Sequence, residues 1–68
     1  MTLTKDDVFC DFYGNSGHNA GVYFNKKNKT YFVAKNARLI DGEVCWDLGE
    51  YNISSKNEAI GIAKNFAL

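Results

Sequence analysis

The sequence predicts an α+β fold: a three-stranded antiparallel sheet packed on one carboxy-terminal helix, four-stranded if the amino-terminal segment adds an edge. Three observations carry this. Two β-forming runs, Gly21-Val22-Tyr23-Phe24 and Thr30-Tyr31-Phe32-Val33-Ala34-Lys35, flank the polar turn Asn25-Lys26-Lys27-Asn28. Asp41-Gly42 is a hairpin signal, because a type I′ turn needs positive φ at both central residues. Behind Ser55 the apolar period changes from two to three or four. The 68 residues read as a single small domain, with the sheet over 21–51 and the helix over 55–67.

Taken in order, residues 1–20 are ambiguous. Thr4 could cap a helix carrying Val8, Phe9, Phe12 and Tyr13 on one face. The same run is equally β-prone, with Val8, Cys10 and Phe12 alternating. Residues 14–20 read as a loop. A two-residue hairpin at Asp41-Gly42 places Leu39 opposite Val44 and gathers Leu39, Ala37, Val44, Trp46 and Leu48 on one apolar face. That face is expected to pack on the helix, with Trp46 buried near Ile60, Ala63 and Phe66. Phe32, Arg38 and Asp47 would then lie on the opposite, exposed face. Ser55 and Glu58 fit a capping box, and Ala59, Ile60, Ala63, Phe66 and Ala67 form the stripe. Gly61 would permit close approach to a strand.

Composition narrows the function. Ten aromatic residues supply a core for so short a chain, and proline is absent, which excludes collagen-like and disordered classes. No run reaches the ~20 apolar residues of a membrane span, and the amino terminus reads without a signal peptide, so a cytoplasmic location with two free thiols, Cys10 and Cys45, is expected. Cys45, in an apolar strand, reads as a small buried hydrophobe. Cys10, Asp11 and His18 are the residue types of a nucleophile, an orienter and a base, but no motif spacing joins them. Gly14 and Gly17 lack the spacing of a phosphate loop. Neither catalysis nor a metal or cofactor is expected.

Formal charge is zero but unevenly placed: Lys26, Lys27, Lys29, Lys35 and Arg38 form a +5 block between two acidic segments. Gly21-Val22, Phe32-Val33-Ala34, Leu48-Gly49-Glu50-Tyr51 and the helix with Ser55, Glu58, Ala59 and Ala63 resemble the APETALA/ethylene-response DNA-binding domain and its relatives in phage integrases and homing endonucleases. The likeness spans residues 21–68. It implies a sheet lying in the DNA major groove with arginines making the contacts. This chain has Tyr23, Phe24 and Asn25 where those arginines would follow, and its single arginine is Arg38.

Two readings follow. The first is a protein-binding inhibitor or regulator acting by surface occlusion. In size and style the chain resembles phage-encoded inhibitors of bacterial defence, anti-CRISPR proteins included. Its contact residues would be Lys26, Lys27, Lys29, Tyr31, Phe32, Lys35, Arg38 and Asp47, with Tyr23 and Tyr51 as further aromatic candidates. The alternative is a weak double-stranded DNA binder using the basic residues of 26–38. Either could be a monomer or a weak homodimer.

Overall fold

The computed structural model describes residues 2–15 and 17–68. It contains β1 (Asp7–Asn15), β2 (His18–Asn25), β3 (Thr30–Lys35), β4 (Arg38–Ile40), β5 (Glu43–Cys45), β6 (Leu48–Ile53) and α1 (Lys56–Phe66). Four strands make one antiparallel sheet in the order β1-β2-β3-β6, and β4 and β5 form a separate two-stranded sheet. The expected fold class holds, in its four-stranded version.

The ambiguous segment resolves as a strand. Thr4 caps no helix: Asp7 N–H donates to the Thr4 carbonyl at 3.1 Å, closing a turn, and β1 then runs the length of β2. The expected loop over 14–20 is also corrected. β1 continues through Asn15, and β2 begins at His18, with Asn15 Oδ1 accepting from the N–H groups of Gly17 and His18. Ser16 lies outside the described residues. The polar Asn19 sits buried in the strand because its carboxamide pairs with the backbone of Ala37.

Period two gives the sheet two buried faces. Ala20 and Val22, Val33, and Ile53 turn toward α1, where Ala59 and Ala63 meet them with Ile62 and Phe66 at the margin. Small helix residues let the helix lie close to the strands, and the Ser55 hydroxyl caps it by accepting from Glu58 N–H at 3.0 Å. Tyr23, Phe32, Ala34 and Trp46 fill the other face, with Leu3, Ala37 and Val44 packed against them.

This second core corrects several expectations. The Asp41-Gly42 turn and the pairing of Leu39 with Val44 are as the sequence indicated, with φ of 53° and 81° at the turn. The hairpin, however, lies on the side of the sheet away from α1. Trp46 is buried, at 2% exposure, but among Tyr23 and Phe32 rather than Ile60, Ala63 and Phe66. Aromatic stacking offered it a larger partner surface than the alanine-rich helix. Leu39 and Leu48 are exposed instead of covered by the helix. Gly61 is also exposed, with nothing within 4 Å of where a Cβ would stand, so no strand approaches it. Cys45 is half-buried and bridges to Thr2.

Candidate interaction surface

The helix-free side is organised by stacked rings. Tyr23 stacks on Phe32 with centroids 5.2 Å apart, Phe32 stacks on Tyr51 at 5.5 Å, and Trp46 covers both Tyr23 and Phe32 at 6.2 and 5.5 Å. Two glycines make room for this. A Cβ on Gly21 would stand 2.9 Å from the Tyr23 ring, and one on Gly49 would stand 2.7 Å from the Tyr51 hydroxyl. Each Gly-x-Tyr segment therefore folds its ring back over its own glycine, on the strand face that the glycine leaves bare.

Two concavities flank the stack. The first is an apolar groove of about 230 Å³ between β1 and the hairpin, lined by Phe12, Tyr23, Ala37, Arg38, Leu39 and Val44. Phe12 and Leu39 are 48% and 74% exposed on its walls. Phe9, exposed and set edge-on to Tyr23 at 5.7 Å, continues the same apolar surface along β1. The second is a more polar cleft of about 190 Å³ lined by Thr2, Asp7, Asn25, Asn28, Thr30, Asn52 and the rims of Phe32, Trp46 and Tyr51.

The residues expected to form one contact surface are dispersed. Phe32 is 6% exposed, held inside the ring stack, and cannot act as an open anchor. Tyr31 belongs to the α1 side, half-buried beside Phe24 at 4.9 Å. Lys35 lies at the end of β3 remote from the 26–29 turn, with Nζ 5.5 Å from the Phe66 ring. Arg38 and Asp47 form an exposed ion pair at 3.1 Å across the base of the hairpin. That pairing lowers the Asp47 carboxyl pKa and raises that of Arg38, so both charges are already engaged. Only Lys26, Lys27 and Lys29 stay together. They are joined by the turn that bears Lys5, because Lys26 N–H donates to the Asp6 carbonyl at 2.8 Å. Tyr23, an expected exposed aromatic, is buried, and Tyr51 is partly open.

Sequence reasoning missed Phe9 and Phe12. Strict alternation puts Phe9 and Phe12 on opposite faces, but β1 has a bulge between Phe9 and Asp11 that shifts the register. Both rings then reach the helix-free side, Phe9 against Tyr23 and Phe12 into the groove. The bulge also blunts the edge strand: Cys10 Sγ lies 3.6 Å from the Val8 carbonyl, and Asp11 Oδ1 accepts from Phe12 N–H at 2.9 Å. Backbone and Tyr13 hydroxyl donors together lower the Asp11 pKa. The opposite edge, β6, carries its own bulge, with Tyr51 and Asn52 both opposite Phe32 and Asn52 at φ 61°. Both edges of the four-stranded sheet are thus interrupted by bulges.

Among the described residues, no group of three or more His, Cys, Asp or Glu could hold a metal ion, and no helix is long and apolar enough to cross a membrane. Cys10 and Cys45 are both free thiols. No family model, no curated protein and no solved structure matches this chain.

Proposed function

We propose that the protein is a non-enzymatic protein-binding module that inhibits or regulates by covering part of a partner's surface. The observation that carries this reading is the apolar groove walled by the exposed side chains of Phe12 and Leu39 and extended by Phe9. These side chains gain nothing for folding by standing in water, whereas a partner's apolar side chain seated between them would desolvate all three. The rigid ring stack beneath holds the walls in place, which lowers the ordering cost of association.

The duplex-DNA alternative has less behind it. The strand face that would lie in a major groove is filled by Trp46 and the hairpin. The basic block is divided, since Lys35 and Arg38 are drawn to other places and Arg38 is ion-paired. A neutral chain with three or four grouped lysines makes few phosphate contacts.

The test is a photo-crosslinking scan. A benzophenone side chain placed at Phe12 or Leu39 should capture the same protein, displaced by excess unlabelled wild type. The same group at Gly61, on the outer side of α1, should capture nothing above background. Capture from Gly61 alone, or recovery of nucleic acid in place of protein, overturns the reading.

A further inference from the structure

The second concavity differs from the groove in chemistry, and the sheet register explains how. Asp7, Asn25 and Thr30 stand opposite one another in β1, β2 and β3. Phe9, Tyr23 and Phe32 make the next row on the same face, because side chains two apart along a strand share a face. The β6 bulge sets Tyr51 and Asn52 together opposite Phe32, and Asn52 takes a φ of 61°, a region that asparagine tolerates. A polar row thus adjoins an aromatic one, and the cleft of about 190 Å³ lies where they meet.

Asp7 carries the only charge in the lining. Its Oδ1 accepts from Asn25 Nδ2 at 2.8 Å, and its Oδ2 accepts from the Thr4 N–H at 2.8 Å and the Thr4 hydroxyl at 3.1 Å. All three donors are neutral, and a carboxylate has about four acceptor sites. The only ion pair among the described residues is that of Arg38 with Asp47, so the charge of Asp7 is matched by no cation among them. The side chains of Asn28, Thr30 and Asn52 have no hydrogen-bond partner among the described residues. Lys26, Lys27 and Lys29 are exposed, and none of them lines the cleft.

One ring of the stack opens here. Tyr51 is 39% exposed, while Tyr23, Phe32 and Trp46 are buried. Its hydroxyl accepts from Trp46 Nε1 at 2.7 Å and its ring stacks on Phe32, which fixes it in the cleft wall. A carboxylate without a counter-charge, carboxamide and hydroxyl oxygens, and an accessible aromatic ring together suit an organic cation. One carboxylate supplies too few ligands for a metal ion. The volume is below the roughly 300–1,000 Å³ of small-molecule pockets, and suits one side chain. Of the two cationic side chains, the planar guanidinium fits better. Its N–H donors reach several separate oxygens while its face lies on a ring, which a compact ammonium cannot do at once. We propose that this cleft takes an arginine side chain of the protein partner. Asp7 balances its charge, Asn28, Thr30 and Asn52 accept from its N–H groups, and Tyr51 stacks on its plane. The turn lysines oppose the approach at longer range, where salt screens them. The proposal rests on the reading that the partner is a protein, but it concerns a cleft separate from the groove.

The experiment needs no identified partner. A capped glycine-serine peptide with one central arginine is titrated into ¹⁵N-labelled protein, beside the same peptide with citrulline, lysine or glutamate at that position. Saturable shifts are expected at Asn28, Thr30, Asn52 and the Trp46 indole N–H with the arginine peptide. Citrulline keeps the shape without the charge, and should bind roughly tenfold more weakly or worse. Asn52→Gly, which keeps the positive φ, and Asp7→Asn should each weaken arginine binding roughly tenfold. Asp7 also orders the Thr4 turn, so Asp7→Asn is scored only if its spectrum matches wild type, and Asn52→Gly decides otherwise. Lys27→Gln removes an exposed like charge and should tighten binding, whereas an anionic occupant would be weakened by it. Absence of shifts, citrulline, lysine or glutamate bound as tightly as arginine, an unaltered affinity in Asn52→Gly, or weakening by Lys27→Gln overturns the proposal. Phe12→Ser, which addresses the groove, should leave arginine binding unchanged, so failure of one reading is separable from failure of the other.

Discussion

The indole Nε1 of Trp46 donates a 2.7 Å hydrogen bond to the hydroxyl of Tyr51, joining the segment after β5 to the edge strand β6. This bond and the stacking on Tyr23 and Phe32 hold the hairpin over the helix-free face. Trp46→Ala should therefore cost about 3–5 kcal/mol, and Tyr51→Phe about 1–2 kcal/mol through loss of the indole's partner. Urea denaturation followed by circular dichroism measures both. Equal stability of Trp46→Ala and wild type would contradict the second core.

Three glycines should respond differently to alanine. At Gly21 the new Cβ meets the buried Tyr23 ring at 2.9 Å, so Gly21→Ala should destabilise by about 1–3 kcal/mol. Gly49→Ala presses on the Tyr51 ring and hydroxyl, and moving that ring away would break its bond from Trp46, so it should destabilise as well. Gly61→Ala meets nothing in an exposed helix interior and should stabilise by about 0.5–1 kcal/mol. The order of the three midpoints in one denaturant series is the check.

Asn19 anchors the root of the hairpin. Its Oδ1 accepts from Ala37 N–H at 3.1 Å, and its own N–H donates to Asn36 Oδ1 at 3.1 Å. Asn19→Ala leaves the Ala37 N–H without that acceptor and should destabilise by about 1–3 kcal/mol. Amide hydrogen exchange should quicken most at Ala37 and in β4 and β5. Uniform acceleration across the sheet would argue against a local anchoring role.

Alkali should be resisted by two tyrosines. Burial raises the Tyr23 pKa, and the hydrogen bond to Asp11 raises that of Tyr13. Folded protein holds these protons longer than unfolded chain, so their contribution to stability is complete below about pH 10 and is lost as pH rises above it. Ultraviolet tyrosinate absorbance, with Tyr13→Phe and Tyr23→Phe for assignment, should show both ionising after a free tyrosine. Normal ionisation of either in the folded protein would contradict its placement.

Elements governed by local chemistry were legible in the sequence: β2 and β3, the Asp41-Gly42 turn with its register, and the helix behind Ser55. What could not be read was which side of the sheet the hairpin covers. Leu39, Val44, Trp46 and Leu48 are apolar whichever way they face, and the choice was made by non-local ring stacking with Tyr23 and Phe32. The candidate surface was hidden for a related reason. A single bulged residue in β1 brings Phe9 and Phe12 to one side, and the chain's period alone carries no mark of it. Of the expected contact residues, Lys26, Lys27 and Lys29 keep an accessible place, while Phe32 proved to be core.

The groove between β1 and the hairpin is the proposed working surface. The most direct measurement is binding kinetics of Leu39→Ser and Phe12→Ser against the protein captured by crosslinking, on variants whose denaturation midpoints match wild type. Off-rates should rise roughly tenfold or more for each, with on-rates little changed, as for anchor residues at the centre of an interface. Unaltered association and dissociation in both folded variants would contradict it.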